Sequence, residues 1–216
     1  MIWIITAMPQ EADLIIPTYN LKLIKSYPHI KFYQNNNILL VVTGIWKIQA
    51  SIGTSLMLQN YSLEKIINIG IAGNTWLETK SQVWDVFLVN KVLQHDGYLP
   101  FEWNHLDYFK KPITLPDFNI KWNFDFNIFK WTCATWDQFI ADENKISQIK
   151  QTYQAHLVDM EAFAVASTAR EFNQLDKLII IKAVSDWANQ QALTDHEKNL
   201  EIAMKNSIKV LSTILN

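Results

Sequence analysis

Three carboxyl side chains of this 216-residue chain are placed to do acid–base chemistry: Glu11, Glu161 and Asp186. Glu11 follows the first apolar run, in Ala7-Met8-Pro9-Gln10-Glu11. Asp186 closes the run Ile179-Ile180-Ile181-Lys182-Ala183-Val184-Ser185. A carboxyl at the mouth of a buried strand loses hydration, which raises its pKa and suits it to general acid work. Glu161 sits among small and apolar residues in Val158-Asp159-Met160-Glu161-Ala162. A carboxylate in such surroundings needs a partner, because an unpaired buried charge is very costly. A sugar diol is one such partner and a lysine is the other. Each acid also has a plain structural use. Glu11 suits the first turn of a helix, where the dipole favours it, and Asp186 suits a cap or turn. Asp137 and the segment 70–73 follow apolar runs in the same way.

Other constellations carry less. His95-Asp96 has no second histidine at ligand spacing, so no metal site is expected. His196 with Glu197 reads as a solvated helix start. Ser55 and Ser185 lack the strained turn of an exposed nucleophile. Residues 44–53 match neither a phosphate loop nor a dinucleotide fingerprint.

The elements that must hold these residues follow from the apolar pattern. Continuous apolar runs at 2–7, 65–70, 83–92 and 178–184 read as buried strands. Residues 31–34 and 38–43 read as two strands joined at Asn35-Asn36-Asn37. A short strand is expected at 131–135. Helical spacing covers 10–16 (stopped near Pro17), 50–59, 144–153, 158–173 and 195–215. The last is amphipathic, with Leu200, Ala203, Met204, Ile208, Leu211 and Leu215 on its stripe. Residues 95–129 are irregular and aromatic-rich, and a lid is expected there. Strands alternating with helices give an α/β sandwich with a mixed sheet, in one domain spanning 1–216. In such folds ligands sit beyond the C-terminal ends of strands.

Composition narrows the function classes. Net charge is -2, with hydrophobic residues at 49%, so neither disorder nor polyanion binding is expected. No apolar run approaches the roughly 20 residues that span a bilayer. No signal peptide is read at the start, and Cys133 is the sole cysteine. A cytoplasmic protein without nucleic-acid or membrane partners is expected. Arg170 is the only arginine.

Taken together, six segments resemble the 5'-methylthioadenosine/S-adenosylhomocysteine nucleosidase family, within the nucleoside phosphorylase superfamily. They are Ala7-Met8-Pro9-Gln10-Glu11, the turn from Thr43 to Ala50, Ile67-Asn68-Ile69-Gly70-Ile71-Ala72-Gly73, Ala134-Thr135-Trp136-Asp137-Gln138-Phe139-Ile140, Val158-Asp159-Met160-Glu161-Ala162, and Ala183-Val184-Ser185-Asp186. The resemblance implies a three-layer α/β sandwich, with a central mixed sheet flanked by helices. It implies a homodimer and a role in nucleoside catabolism and methionine salvage, with neither metal nor organic cofactor. The implied reaction is hydrolysis of a purine nucleoside's N-glycosidic bond, through a ribosyl cation, by two carboxyl groups. By the resemblance, Asp186 protonates purine N7 and Glu11 deprotonates the attacking water. Glu161 takes the ribose hydroxyls and Met160 packs on the sugar. Phe139 stacks on the purine, the Ile140 backbone reads its edge, and Ser185 holds Asp186. Ile71 and Gly73 line the pocket, with Ile71 replacing a small, often hydroxylated residue. Lys182 replaces an arginine. Phosphorolysis is the rival reaction, but oxyanion recognition leans on arginine forks, which are scarce here. A futalosine-type hydrolase and an inactive nucleoside-binding dimer fit the same six segments.

The chain has 5 glycines and 9 tryptophans, where typical usage gives about 15 glycines. Several tryptophans, among them Trp46, Trp84 and Trp136, stand where the family pattern has glycine. This suggests UGA codons read as glycine in the source lineage. It predicts strained backbone or crowded rings at these three positions, with Trp136 crowding the purine pocket.

Overall fold

A computed structural model describes residues 1–61, 64–76, 81–97, 111–118 and 123–215. In chain order the elements are β1 (Ile2–Thr6), α1 (Pro9–Thr18), β2 (Lys22–Ser26), β3 (Lys31–Gln34), β4 (Ile38–Val42), α2 (Lys47–Asn60) and β5 (Lys65–Asn74). Then follow β6 (Val86–Gln94), β7 (Ile113–Thr114), β8 (Ile128–Thr135), α3 (Glu143–Tyr153), β9 (Leu157–Asp159), α4 (Ala162–Glu171), β10 (Leu178–Asp186) and α5 (Ala192–Leu215).

The apolar runs pair as buried, largely parallel strands. β1 lies between β4 and β5, parallel to both. β3 and β2 extend this side antiparallel. On the other side of β5, β10 is parallel to it, β6 is antiparallel to β10, and β8 and β9 continue in parallel. β9 then pairs back onto β5. Strands β5, β10, β6, β8 and β9 therefore close into a ring, and β1, β4, β3 and β2 run out from it as an open sheet. All nine residues of β10 are buried, which explains its unbroken apolar reading. Helices α2 and α4 pack on one face. Helices α1 and α5 pack on the other, where Ala203, Met204, Ile208 and Leu211 sink the stripe of α5 into the core. The result is the expected α/β sandwich of helices on a mixed sheet. Among the described residues no helix is long and apolar enough to cross a membrane.

Local differences have physical causes. α1 runs past Pro17 to Thr18. A proline in the last turn removes one donor only, and the Tyr19 and Asn20 amides still bond back to Ile15 and Pro17. β2 has no signal in the apolar pattern, because its five residues are all exposed and carry no buried face. The segment 158–173 is not one helix. Asp159 ends β9, and α4 starts only at Ala162. β5 does not stop at Gly70 but continues to Asn74. Within the expected irregular region, β7 and the start of β8 are ordered strands. Of the expected lid, 98–110 and 119–122 lie outside the described residues.

Candidate functional site

Glu11, Glu161 and Asp186 come from three separate places in the chain and meet around one cavity of about 330 Å³. That is within the range of small-molecule sites. All three are buried. Met160, Phe139, Ile140, Ser185, Ile71 and Gly73 line the same cavity. Asp137 does not. Its carboxylate accepts the Lys47 amide at 2.8 Å and so tethers the start of α2.

Glu11 is held by the turn between β1 and α1. Its Oε2 accepts three hydrogen bonds: from Thr6 Oγ1 at 2.7 Å, Ala7 N at 3.0 Å and Met8 N at 2.9 Å. Oε1 accepts one, from Ile71 N at 3.1 Å. Oε2 is thus saturated, while Oε1 keeps a lone pair. Gly70 makes this approach feasible: a Cβ there would lie 2.6 Å from Oε1. At Gly73 a Cβ would lie 2.9 Å from Asp186 Oδ1. These glycines are interior strand residues that let two carboxyl groups lie against β5.

Asp186 ends β10 at a shift in register. Ser185 Oγ donates to its Oδ2 at 2.7 Å, and Ala188 N donates to Oδ1 at 2.8 Å. Glu161 sits in the turn before α4, and its Oε1 accepts the Trp46 amide at 3.0 Å. Burial pushes its pKa up to about 8, with the Asp159 and Glu11 charges adding and Lys182 and the Trp46 amide opposing.

Of the two partners open to Glu161, lysine is taken elsewhere: Lys182 pairs with Asp159, at 2.8 Å. Asp159 also accepts Thr135 Oγ1 at 2.6 Å and Ala162 N at 2.9 Å. Burial by itself lowers the Lys182 pKa. Asp159 and Glu161 outweigh that and hold it above the ordinary lysine value. Among the described residues the cavity lining contains four carboxyl residues, Glu11, Asp159, Glu161 and Asp186, and no lysine or arginine. Lys182 balances the Asp159 charge and burial favours the protonated form of Glu161, so the wall is rich in acid and base groups and poor in cations. Arg170 lies in the last turn of α4, beside Glu171.

Two cavity residues are not legible in the sequence. His196 is not a solvated helix start. α5 begins three residues earlier than its spacing implies, and this carries the His196 ring into the cavity wall, edge-on to Phe139 at 5.5 Å. Trp46 contributes its backbone N–H, for which no side-chain pattern exists. His95-Asp96 acts as a structural pair. Asp96 holds Lys47 Nζ at 2.6 Å. His95 packs on Trp136, and burial pushes its pKa down to about 4. Among the described residues no group of three or more His, Cys, Asp and Glu converges as a metal site.

The tryptophan expectation divides. Trp46 has φ 87 and ψ 154, a region that is essentially glycine-only. Trp84 has φ 70, which is a genuine outlier for a bulky residue. Trp136 is not among the positive-φ residues. Its ring packs between His95 and Lys145 and does not line the cavity. It does not crowd the pocket, because its amide ties to Asp159 O at 3.0 Å and the ring joins the cluster of Ile146, Ile149 and Ala155.

The sequence model of the phosphorylase superfamily matches residues 1–216. A 5'-methylthioadenosine/S-adenosylhomocysteine nucleosidase of Staphylococcus haemolyticus is 30% identical over 233 residues, spanning 100% of this chain and 99% of its own. Among solved structures, the 5'-methylthioadenosine/S-adenosylhomocysteine nucleosidase of Neisseria meningitidis in complex with methylthio-immucillin-A aligns with TM-score 0.86 at 22% identity, over 99% of this chain and 97% of that one. The futalosine hydrolase of Helicobacter pylori aligns with TM-score 0.80 at 19% identity, over 99% and 96%. Both structures share the fold.

Proposed function

Since the chain belongs to the 5'-methylthioadenosine/S-adenosylhomocysteine nucleosidase family of the phosphorylase superfamily, we propose that this cavity hydrolyses purine nucleosides of that type, releasing the free base and a ribose derivative. The observation that carries this reading is the make-up of the cavity wall. Glu11 and Asp186, a base and an acid, face one cavity whose lining among the described residues holds no lysine or arginine. A ribosyl cation gains from the Glu11 carboxylate, whereas a phosphate co-substrate meets no cation there to receive it.

The chemistry assigns a role to each wall. Asp186 donates a proton to purine N7, so that the base leaves neutral. Glu11 takes a proton from the attacking water, and the oxygen with a lone pair to spare, Oε1, is the one that does so. Glu161, held by the Trp46 amide, faces the ribose hydroxyls, and Met160 packs against the sugar. Phe139 stacks on the purine and the Ile140 backbone reads its edge. Ser185 orients the Asp186 carboxyl through its 2.7 Å bond. Ile71 serves through its amide, which anchors Glu11.

A homodimer is the second part of the reading. Ile45, Trp46, Ile48 and Ile52 lie exposed at the start of α2, beside the cavity mouth. A cluster of this kind marks an interaction surface, and a second copy covering it would also wall the cavity. A monomer mass by light scattering at micromolar concentration would remove this part.

The decisive experiment is a substrate panel of methylthioadenosine, adenosylhomocysteine, futalosine and inosine, with and without phosphate. Free adenine from the first two without phosphate is the expected result. Strict phosphate dependence, or no base from any substrate, overturns the hydrolase reading.

A further inference from the structure

Among the described residues, His196 is the one titratable side chain of the cavity wall that is not a carboxyl group. Its Nδ1 lies 3.8 Å from Asp186 Oδ2, with side-chain exposures of 19% and 2%. About 1 Å of side-chain movement closes that gap to hydrogen-bond distance. Asp186 also lines the cavity, but while a nucleoside or its products fill that space it has few other routes to water. Its Oδ1 is taken by the Ala188 amide, and its Oδ2 by the hydroxyl of Ser185, which is itself fully buried. Ser185 therefore leads nowhere, while the imidazole reaches from the carboxyl to solvent. Among the described residues, Asp186 of β10 is the carboxylate within 4 Å of the ring. Phe139 packs on it without charge. Its sequence neighbours on α5 are Asp195 and Glu197.

We propose that His196 returns a solvent proton to Asp186 after each turnover, an inference that rests on the nucleosidase reading. Each hydrolysis leaves Asp186 without the proton it gave to the base, and leaves Glu11 with one taken from water. Glu11 releases its proton to solvent. At His196, a proton from water bonds to Nε2, the Nδ1–H bond breaks, and an O–H bond forms at Asp186 Oδ2. A ring flip, or exchange with water, restores the starting tautomer. Protons balance over the cycle, and no further reactant is needed. His196 is thus a positioning residue for a proton. It acts through Asp186 and does not touch the reacting atoms.

The test separates the first turnover from later ones. His196→Phe keeps an aromatic edge on Phe139 but carries no proton. His196→Gln serves as a second variant should the first fold poorly. Each is mixed with excess methylthioadenosine in a quenched-flow experiment, with imidazole buffer varied. The expected result is one equivalent of adenine released at the wild-type rate, followed by turnover slowed about 100-fold, the low end for a positioned proton-transfer group. Added imidazole restores the slow phase. Steady-state turnover equal to wild type in both variants overturns the relay. So does an equal loss in the first turnover with no buffer dependence, which would make His196 a substrate contact. If wild type releases no base, the nucleosidase reading itself fails, and the relay with it.

Discussion

The inner wall of the cavity is carried by strand ends and buried turns, and its outer wall by exposed connections. On the inner wall, Glu11 has four donors on its two oxygens. Asp186 has two donors, and Asp159 pairs with a buried lysine. Glu11 and Asp186 are fixed by β1, β5 and β10 or the turns beside them, and Asp159 by Lys182 of β10, Thr135 of β8 and the Ala162 amide that opens α4. On the outer wall, Ile45, Trp46 and Phe139 are exposed, and one of them sits on strained backbone. The difference separates two tasks. Carboxyl groups that act on a bond must be held within a fraction of an ångström, so they sit where the sheet is most rigid. Groups that admit and cover a ligand sit on connections, where sequence change is tolerated.

The largest expected effect comes from removing the acid of the inner wall. Asp186→Asn keeps the shape and the Ala188 contact but has no proton to give. Base release should fall by about 10² to 10⁴-fold, while nucleoside binding and melting temperature change little. Unchanged turnover by adenine detection would take Asp186 out of the mechanism. Next comes Gly70→Ala, which touches no ligand. Its Cβ would lie 2.6 Å from Glu11 Oε1, so the carboxylate must shift. A displacement of this kind costs up to about 100-fold in kcat, with about 1–3 kcal/mol of stability lost to overpacking. A fully active Gly70→Ala enzyme would show that the inner wall is less rigid than its hydrogen bonds imply.

Glu161 gives a smaller, pH-dependent effect. Its pKa is raised to about 8 in the folded chain, first by burial, against an ordinary glutamate value near 4.3 when unfolded. The proton is therefore held more tightly by the folded state. The stability this provides is complete below the unfolded value and is lost as pH rises toward about 8. Without ligand, the wild-type melting temperature should fall by several degrees between pH 5 and pH 8 relative to Glu161→Gln. Parallel curves for the two proteins would remove the linkage.

Legibility in the sequence follows the same division. The acids of the inner wall can be found because they stand directly after apolar runs, and buried strands leave a long, unambiguous signal. Ser185 and Met160 come with them as chain neighbours. Gly70 and Gly73 read as a turn, and their use inside a strand is hidden, because it depends on Glu11 and Asp186 arriving from distant parts of the chain. The Lys182–Asp159 pair is hidden for the same reason: a lysine within an apolar run does not say which of two nearby carboxylates it will meet. His196 is lost to a boundary error, since moving the start of α5 from 195 to 192 changes which residues of its first turns reach the cavity. The closure of β9 onto β5 is also out of reach. A three-residue strand carries almost no periodicity, and its pairing is decided by tertiary contacts.

The smallest expected effect is on the outer wall, and it bears on what residue 46 is. At φ 87 and ψ 154, a side chain pays roughly 1–3 kcal/mol in strain. Trp46 is 57% exposed in the single subunit, so within one copy its ring recovers little of that by burial. The site uses only the backbone N–H of this residue, as the donor to Glu161, and glycine supplies the same donor. In the separated subunit Trp46→Gly should therefore raise stability by about 1 kcal/mol after glycine's larger unfolded entropy is subtracted. That corresponds to about 2–4 °C in melting temperature for a chain of this size, read at a dilution where light scattering gives the monomer mass. Trp84, at φ 70, should respond in the same direction. Trp136→Gly should instead destabilise, because its ring packs against His95 in a buried cluster. The codon-reassignment reading now applies with physical force to positions 46 and 84 alone. It expects UGA there in the gene, and UGG at both would end it. A destabilised Trp46→Gly would show that the ring packs on something beyond this chain, and the exposed start of α2 is where a second copy would have to be sought.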